Sequence, residues 1–198
     1  AAEVQRVSEE QAFNIILPWV NKTGIKKIVC SGGFFLNVKL NQKLWYTNLL
    51  DEQWVYPNPG DAGLAVGSAL YIYFKENSNK QHTRLDNLYT GPEFSNDEIK
   101  KILDDRQIKY EFHENIEKVT ANYLSKNYVI GWFQGRMEAG PRALGNRSIV
   151  MSPIDPRNKD IINMKVKYRE KFRPFCPSIL DKSYDVYLKD ARDEFFMV

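Results

Sequence analysis

Residues 25–40 read IKKIVCSGGFFLNVKL, and this stretch decides the fold class. Ile25–Cys30 predicts a buried strand, Ser31-Gly32-Gly33 a tight turn, and Phe34–Leu40 a helix. A strand that passes through glycines into a helix is the unit from which α/β proteins are assembled. Upstream, Ser8 and Gln11 form a capping box ahead of Phe13, Ile16, Leu17 and Val20, which recur at helical spacing. Pro18 inside that pattern predicts a kink or a shortened helix, and Thr23-Gly24 predicts its end.

Downstream, Trp54–Tyr56 predicts a short strand, Pro57–Gly60 a turn, and Asp61 the start of a helix reaching about Phe74. Residues 75–90 (KENSNKQHTRLDNLYT) are polar and aperiodic, which marks a linker. Beyond it, Ser95 and Glu98 make a second capping box for a helix to about Arg106. Tyr110–His113 predicts a strand, Asn115–Lys126 a helix and Tyr128–Phe133 a strong buried strand. Ser148–Met151 predicts another strand, Asp155-Pro156 an N-cap and first helical residue, and Phe175–Leu180 a last strand. The fold class is therefore mixed α/β, in two pieces joined near residues 80–90. The final EFFMV reads as the start of a strand, and the first residues enter a helix without methionine. Both ends lead to the expectation of an excised fragment.

Composition bounds the function. The chain has 198 residues, enough for one large or two small domains with a substantial core. With 43% hydrophobic and 27% charged residues it has the make-up of a soluble globular protein. No apolar run is long enough to span a membrane, and AAEVQRVSEE is not a signal peptide. Cys30 and Cys176 lie far apart, so neither a CxxC metal site nor a disulfide framework is expected, and a reduced cytoplasmic setting is the default. A net charge of +3 is too weak to imply nucleic acid. Residues 157–173 are nonetheless locally basic, with seven Lys and Arg against Asp160 and Glu170.

Residues 135–148, GRMEAGPRALGNRS, carry the most specific chemical signal. Arg136, Arg142 and Arg147 alternate with Gly135, Gly140 and Gly145. Guanidinium groups are planar donor forks matched to phosphate and carboxylate, and glycines let backbone turn sharply or pass close to a ligand. An uncovered arginine cluster repels itself, so an anion is its natural counterpart. Glu138, set among the arginines, reads as an orienting partner rather than a free base. Lys167, Arg169 and Arg173 follow in the basic stretch and are expected to extend the same site, with Phe172, Pro174 and Phe175 as anchors and Tyr168 in the core.

Two weaker motifs have plain alternatives. Ser31-Gly32-Gly33 with Asn37 either exposes N–H groups to an anion at a helix start or is simply a turn. Asp61, in Pro59-Gly60-Asp61-Ala62-Gly63, is either an N-cap or a carboxylate metal ligand. His82 and His113 do not stand at ligand spacing; the first reads as linker surface and the second as a strand-edge side chain. No Ser/His/Asp or Cys/His nucleophile arrangement and no Walker lysine pattern is visible.

Taken together, GRMEAGPRALGNRS, SGGFFLN at 31–37, PNPGDAGLAVGSAL at 57–70, GPEFSNDEI at 91–99 and KYREKFRPFCPSIL at 167–180 resemble the NodU/CmcH-type carbamoyltransferase family, the group that includes the enzyme acting on tobramycin. The blocks keep their order over nearly the whole chain. The resemblance implies two parts. Residues 1–85 resemble the last piece of a Kae1-like carbamoyl-transfer domain of the actin–Hsp70 type. Residues 88–198 resemble the opening of a YrdC-like domain that forms carbamoyl adenylate from ATP and carbamoyl phosphate.

The resemblance further implies residue roles. Gly32, Gly33 and Asn37 hold nucleotide in the Kae1-like cleft. Asp61 matches the carboxylate ligand of an iron-type metal, whose two histidine ligands belong to an earlier segment and are not replaced by His82 or His113. The metal site is therefore expected to be incomplete in this chain. Arg136, Arg142 and Arg147 are the expected catalytic cations, with Asn146, Ser148, Lys167, Arg169 and Arg173 binding substrate. ATP with magnesium and carbamoyl phosphate are the expected small molecules, and a small-molecule hydroxyl is the acceptor. Ala139 departs from the family, which usually has a large aromatic residue there. The isolated fragment is expected to be inactive, and a homo-oligomer is compatible with the sequence. The alternative is a nucleotide- or RNA-binding YrdC-like module without transferase activity. The weak net charge and the lack of interleaved aromatic and basic residues argue against it.

Overall fold

The computed structural model describes residues 2–81 and 85–188. His82 and the terminal EFFMV lie outside them. The described residues form two compact units: residues 2–81 and 85–88 with Ala139–Pro141, and residues 89–138 with 142–188.

The first unit opens on helix α1, Ala2–Thr23. It begins a turn and a half before the expected cap at Ser8. The upstream residues sustain it: Arg6 pairs with Glu3 and Glu10, and Gln5 donates to Glu9 at 2.8 Å, all at spacings that place side chains on one helix face. Pro18 does not end the helix. Around it, Phe13, Ile16 and Leu17 pack with the buried Val20, Leu44 and Leu50, and this burial outweighs the one backbone bond that proline forfeits. Gly24, with φ 69°, closes the helix by donating its N–H to Val20 O at 2.9 Å.

Strand β1 is Lys27–Cys30, and it pairs in parallel with β2, Glu52–Val55. Helix α2, Val38–Trp45, makes the crossover that parallel strands require. The predicted helix over Phe34–Leu40 is instead a 3₁₀ turn, Gly33–Leu36, broken at Asn37. Asn37 accepts the Leu40 N–H at 3.2 Å and so starts α2, as asparagine favours. The expected full burial of the first strand is also corrected. A two-stranded sheet covers one face, so Cys30 is buried while Val29 is 75% exposed. Cys30 and Val55 form a second small core with Ile28 and Phe35. A 3₁₀ turn at Asp61–Gly63 then leads into α3, Leu64–Glu76, which has no buried residue.

The second unit contains α4 (Asn96–Asp105), α5 (Ile116–Ser125), β3 (Ile130–Phe133) and β4 (Arg147–Val150). Ser95 and Glu98 make the expected capping box in full. Asn115 caps α5 by accepting the Lys118 N–H at 3.0 Å. β3 and β4 pair antiparallel, with Phe133 opposite Arg147. β3 is half-exposed rather than buried, again because its sheet has two strands. Tyr110–His113 and Phe175–Leu180 are irregular, not strands. Neither segment pairs with a strand of the sheets, so apolar content alone does not hold them extended. Asp155 does not cap the short α6 (Asn158–Ile161) with its side chain; it accepts the Arg157 N–H in a local turn, and Asn158 N–H bonds to its carbonyl. A π turn (Ile162–Val166) and a one-turn α7 (Tyr184–Tyr187) complete the described chain. Buried positions in this unit are mostly polar: Glu138, Ser152, Asn158 and Asn163, beside Ile162.

Candidate functional site

In the first unit the two glycine motifs meet. The Gly32 N–H donates to Pro59 O at 2.7 Å. The Gly33 and Gly60 backbones face each other closely enough that a Cβ on either would touch the other at 4.0 Å. Gly63 permits the tightest approach: a Cβ there would lie 2.0 Å from Asn58 O. The short spacing of PNPGDAG thus forces the chain back on itself, directly beside the Ser31–Gly33 turn.

The side chains around this junction are already engaged in part. Asn37 exchanges amide bonds with Gln5 at 2.9 and 3.2 Å while capping α2. Gln5 also holds Glu9, which is buried and paired with Lys43. The Lys43 ammonium, and then Gln5, hold the Glu9 carboxyl below the usual range. Burial pushes the Cys30 thiol up to about 11, so it is no nucleophile at neutral pH.

Asp61 is exposed and begins its 3₁₀ turn without a side-chain capping bond. Among the described residues no group of three or more His, Cys, Asp and Glu side chains gathers as a metal site. His113 is not on a strand edge; it sits in an irregular segment, 3.3 Å from Glu111. One carboxylate does not make an iron site.

In the second unit, residues 134–146 connect β3 to β4 and contain most of the arginine–glycine run. Gly135, Gly140 and Gly145 all have positive φ (51°, 94° and 111°), which explains their spacing. Ala139–Pro141 belongs to the first unit. There Ala139 N–H donates to Leu88 O at 2.7 Å, and a Cβ on Gly140 would come 2.9 Å from Pro57 O.

The rest of the loop is organised around Glu138, whose side chain is fully buried. Oε1 accepts the N–H groups of Leu144 at 2.8 Å, Asn146 at 2.7 Å and Arg147 at 3.2 Å. Oε2 accepts Arg147 Nε at 2.8 Å, and Arg147 also donates to Glu138 O at 2.7 Å. Burial pushes the Glu138 carboxyl up, but the Arg147 guanidinium and the backbone donors prevail and hold it at about 2. Glu138 is thus a permanent anion and an orienting partner, as its place in the sequence suggested.

The loop brings four of the expected site residues together. Asn146 Nδ2 donates to Arg136 O at 2.8 Å, and Ser148 Oγ accepts the Gly145 N–H at 3.1 Å beside Arg147. Arg136 is exposed and donates from Nε to Gly91 O at 3.1 Å. Arg142 is exposed as well. The surroundings of the three arginines differ: Arg147 faces an internal carboxylate, whereas Arg136 and Arg142 lie at the surface.

Arg169 and Arg173 occupy a different local network, while Lys167 is exposed and bonds through its backbone N–H to Ile162 O at 2.9 Å. Asn163, fully buried, donates to Lys171 O and Arg173 O and accepts Arg169 Nε at 2.6 Å. Arg169 stacks 4.5 Å from the Phe175 ring. Arg173 donates to Glu170 at 2.7 Å. Arg169, Glu170 and Arg173 line an open concavity with Met164 and Tyr168. Phe175 acts as the expected anchor, but Phe172 does not, being 68% exposed. Tyr168 is not core: it is 85% exposed with φ 47°.

Sequence reading missed three organisers. Asn163 gave no signal beyond an asparagine between Ile162 and Met164. Gln134 bonds Asn146 at its backbone and side chain, and Tyr89 OH donates to Leu144 O at 3.2 Å. Both flank quoted motifs but carry no motif of their own.

Fold and site together define a mixed α/β protein whose second unit presents arginines on a loop folded around a buried carboxylate. The chain belongs to the carbamoyltransferase family. Residues 1–70 match the family model for the carbamoyltransferase N-terminus, and residues 121–198 match that for the C-terminus. It is 37% identical over 200 residues to nodulation protein NolNO of Sinorhizobium fredii, covering 98% of this chain and 29% of the relative. It is 36% identical over 185 residues to nodulation protein NolO of Bradyrhizobium diazoefficiens, covering 92% and 34%. A Synechocystis protein, sll1178, is 34% identical over 207 residues, covering 100% and 34%. The chain spans about a third of the length of these curated relatives. No helix among the described residues is long and apolar enough to cross a membrane.

Proposed function

We propose that the chain is the part of an O-carbamoyltransferase that joins a Kae1-like transfer domain to a YrdC-like adenylating domain. The observation that carries this reading is the Glu138-centred loop, which carries Arg136, Arg142 and Arg147, in a chain that matches both halves of the carbamoyltransferase family. The substrates fit the charges. ATP, with its magnesium, and carbamoyl phosphate are anionic, and adenylation builds further negative charge at the α-phosphate. Positioned guanidinium groups stabilise that charge as it develops.

The reaction balances as carbamoyl phosphate, ATP and water giving carbamoyl adenylate, phosphate and pyrophosphate. An acceptor hydroxyl then displaces AMP from the carbamoyl carbon and becomes a carbamate ester. Both steps are substitutions at reactive phosphoryl or carbonyl centres and need no side-chain nucleophile, consistent with the raised Cys30 thiol. The Ser31–Gly33 turn and Pro59–Asp61, joined by the Gly32–Pro59 bond, are the proposed nucleotide contact of the first unit.

The test is calorimetric binding of ATP and carbamoyl phosphate to the wild-type chain and to Arg142→Ala. Carbamoyl phosphate should bind the variant roughly tenfold or more weakly, as for loss of a charged hydrogen bond. Equal binding by both proteins removes Arg142 from the site.

A further inference from the structure

The β3–β4 loop folds around an anion that the chain itself supplies. Three backbone N–H groups, from Leu144, Asn146 and Arg147, converge on one oxygen of Glu138, and Arg147 Nε takes the other. Convergent main-chain donors of this kind form an anion-binding nest. This nest already holds a carboxylate, withdrawn completely from solvent. The backbone at 144–147 is therefore not the cradle for a substrate phosphate. Substrate charge meets side chains instead, and the backbone donors are spent on fixing the loop.

We propose that Glu138 is the positioning residue of the anionic-substrate site: it fills the nest, sets the 144–147 backbone and holds the Arg147 guanidinium in one orientation. The inference rests on the reading of residues 135–148 as the carbamoyl phosphate and ATP loop. Glu138 touches no substrate in this role. Its effect passes through Arg147, and through Asn146, whose amide bonds the Arg136 carbonyl.

The test uses the full chain and two variants. Glu138→Ala empties the nest and leaves space for a small carboxylate. Glu138→Gln keeps an oxygen for the three N–H groups but sets an amide NH₂ against Arg147 Nε. Two quantities are read: hydrogen exchange of the Leu144, Asn146 and Arg147 amides, and the affinity for carbamoyl phosphate.

In Glu138→Ala the three amides should exchange fast and carbamoyl phosphate should bind roughly ten- to a hundredfold more weakly. Added formate should restore both; formamide, uncharged and of similar size, should restore neither. Glu138→Gln should keep slow exchange yet still bind weakly, which separates the grip on Arg147 from loop order. Should Glu138→Ala not fold, Glu138→Gln carries the test.

Wild-type affinity in Glu138→Gln, or in a folded Glu138→Ala, overturns the proposal, as does formate that restores neither quantity. A wild-type chain with protected amides that binds no carbamoyl phosphate overturns the substrate reading. Formate restoring exchange protection in that case upholds Glu138 as the organiser of the loop.

Discussion

At the residue scale, Glu138 shows how a buried charge becomes structural. Its carboxyl is held at about 2 against an ordinary value near 4.5. A lowered native value means the unfolded chain binds the extra proton as pH falls. The stabilisation is therefore fully present above about pH 4.5 and is lost as pH drops towards 2, a contribution on the order of 3 kcal/mol. Urea unfolding of the second unit, followed through Trp132, should show a plateau above that range and a decline below it. Glu138→Gln should be less stable and show a flatter acid limb; an unchanged slope would remove Glu138 as its source. Gly63 makes the complementary steric case. Alanine there would drive a Cβ to 2.0 Å from Asn58 O, a backbone atom that cannot swing away. Gly63→Ala should cost about 3 kcal/mol in urea unfolding of the first unit, while Gly67→Ala, in open space on α3, should not destabilise.

At the element scale, what the sequence disclosed depended on how local the cause was. The α4 capping box is made within four residues and was legible, as was a helix starting near Asn115. Ser95→Ala should accordingly cost about 1 kcal/mol of stability, read by denaturation, with loss of helical signal confined to α4. Pro18 and Ser8 misled for the opposite reason. The length of α1 is decided by Leu44 and Leu50, far along the chain, and by the pairing of Arg6 with its helix neighbours. The apolar runs at Tyr110–His113 and Phe175–Leu180 have strand composition but no strand beside them. The Lys27–Glu52 pair, directly opposite across β1 and β2, is exposed on both sides. Lys27→Ala should therefore change stability by less than about 1 kcal/mol, and that small effect should shrink further in salt.

At the scale of the whole molecule, the family and the turns of the charged loop were more legible than the packing. Spaced arginines and positive-φ glycines announced an organised, charged loop. That Glu138 holds Arg147, rather than Arg136 or Arg142, follows only from three-dimensional contacts. Likewise, the basic stretch at 157–173 looked continuous with the loop, yet Asn163 and Phe175 tie Arg169 into a network of its own. The chain belongs to the carbamoyltransferase family and spans about a third of its curated relatives, so the activity proposed belongs to the longer protein. The most direct test is pyrophosphate release from ATP by the full-length protein, with and without carbamoyl phosphate. Release should depend on carbamoyl phosphate and be strongly reduced in Arg142→Ala. Release that proceeds equally without carbamoyl phosphate, or no release at all, would contradict it.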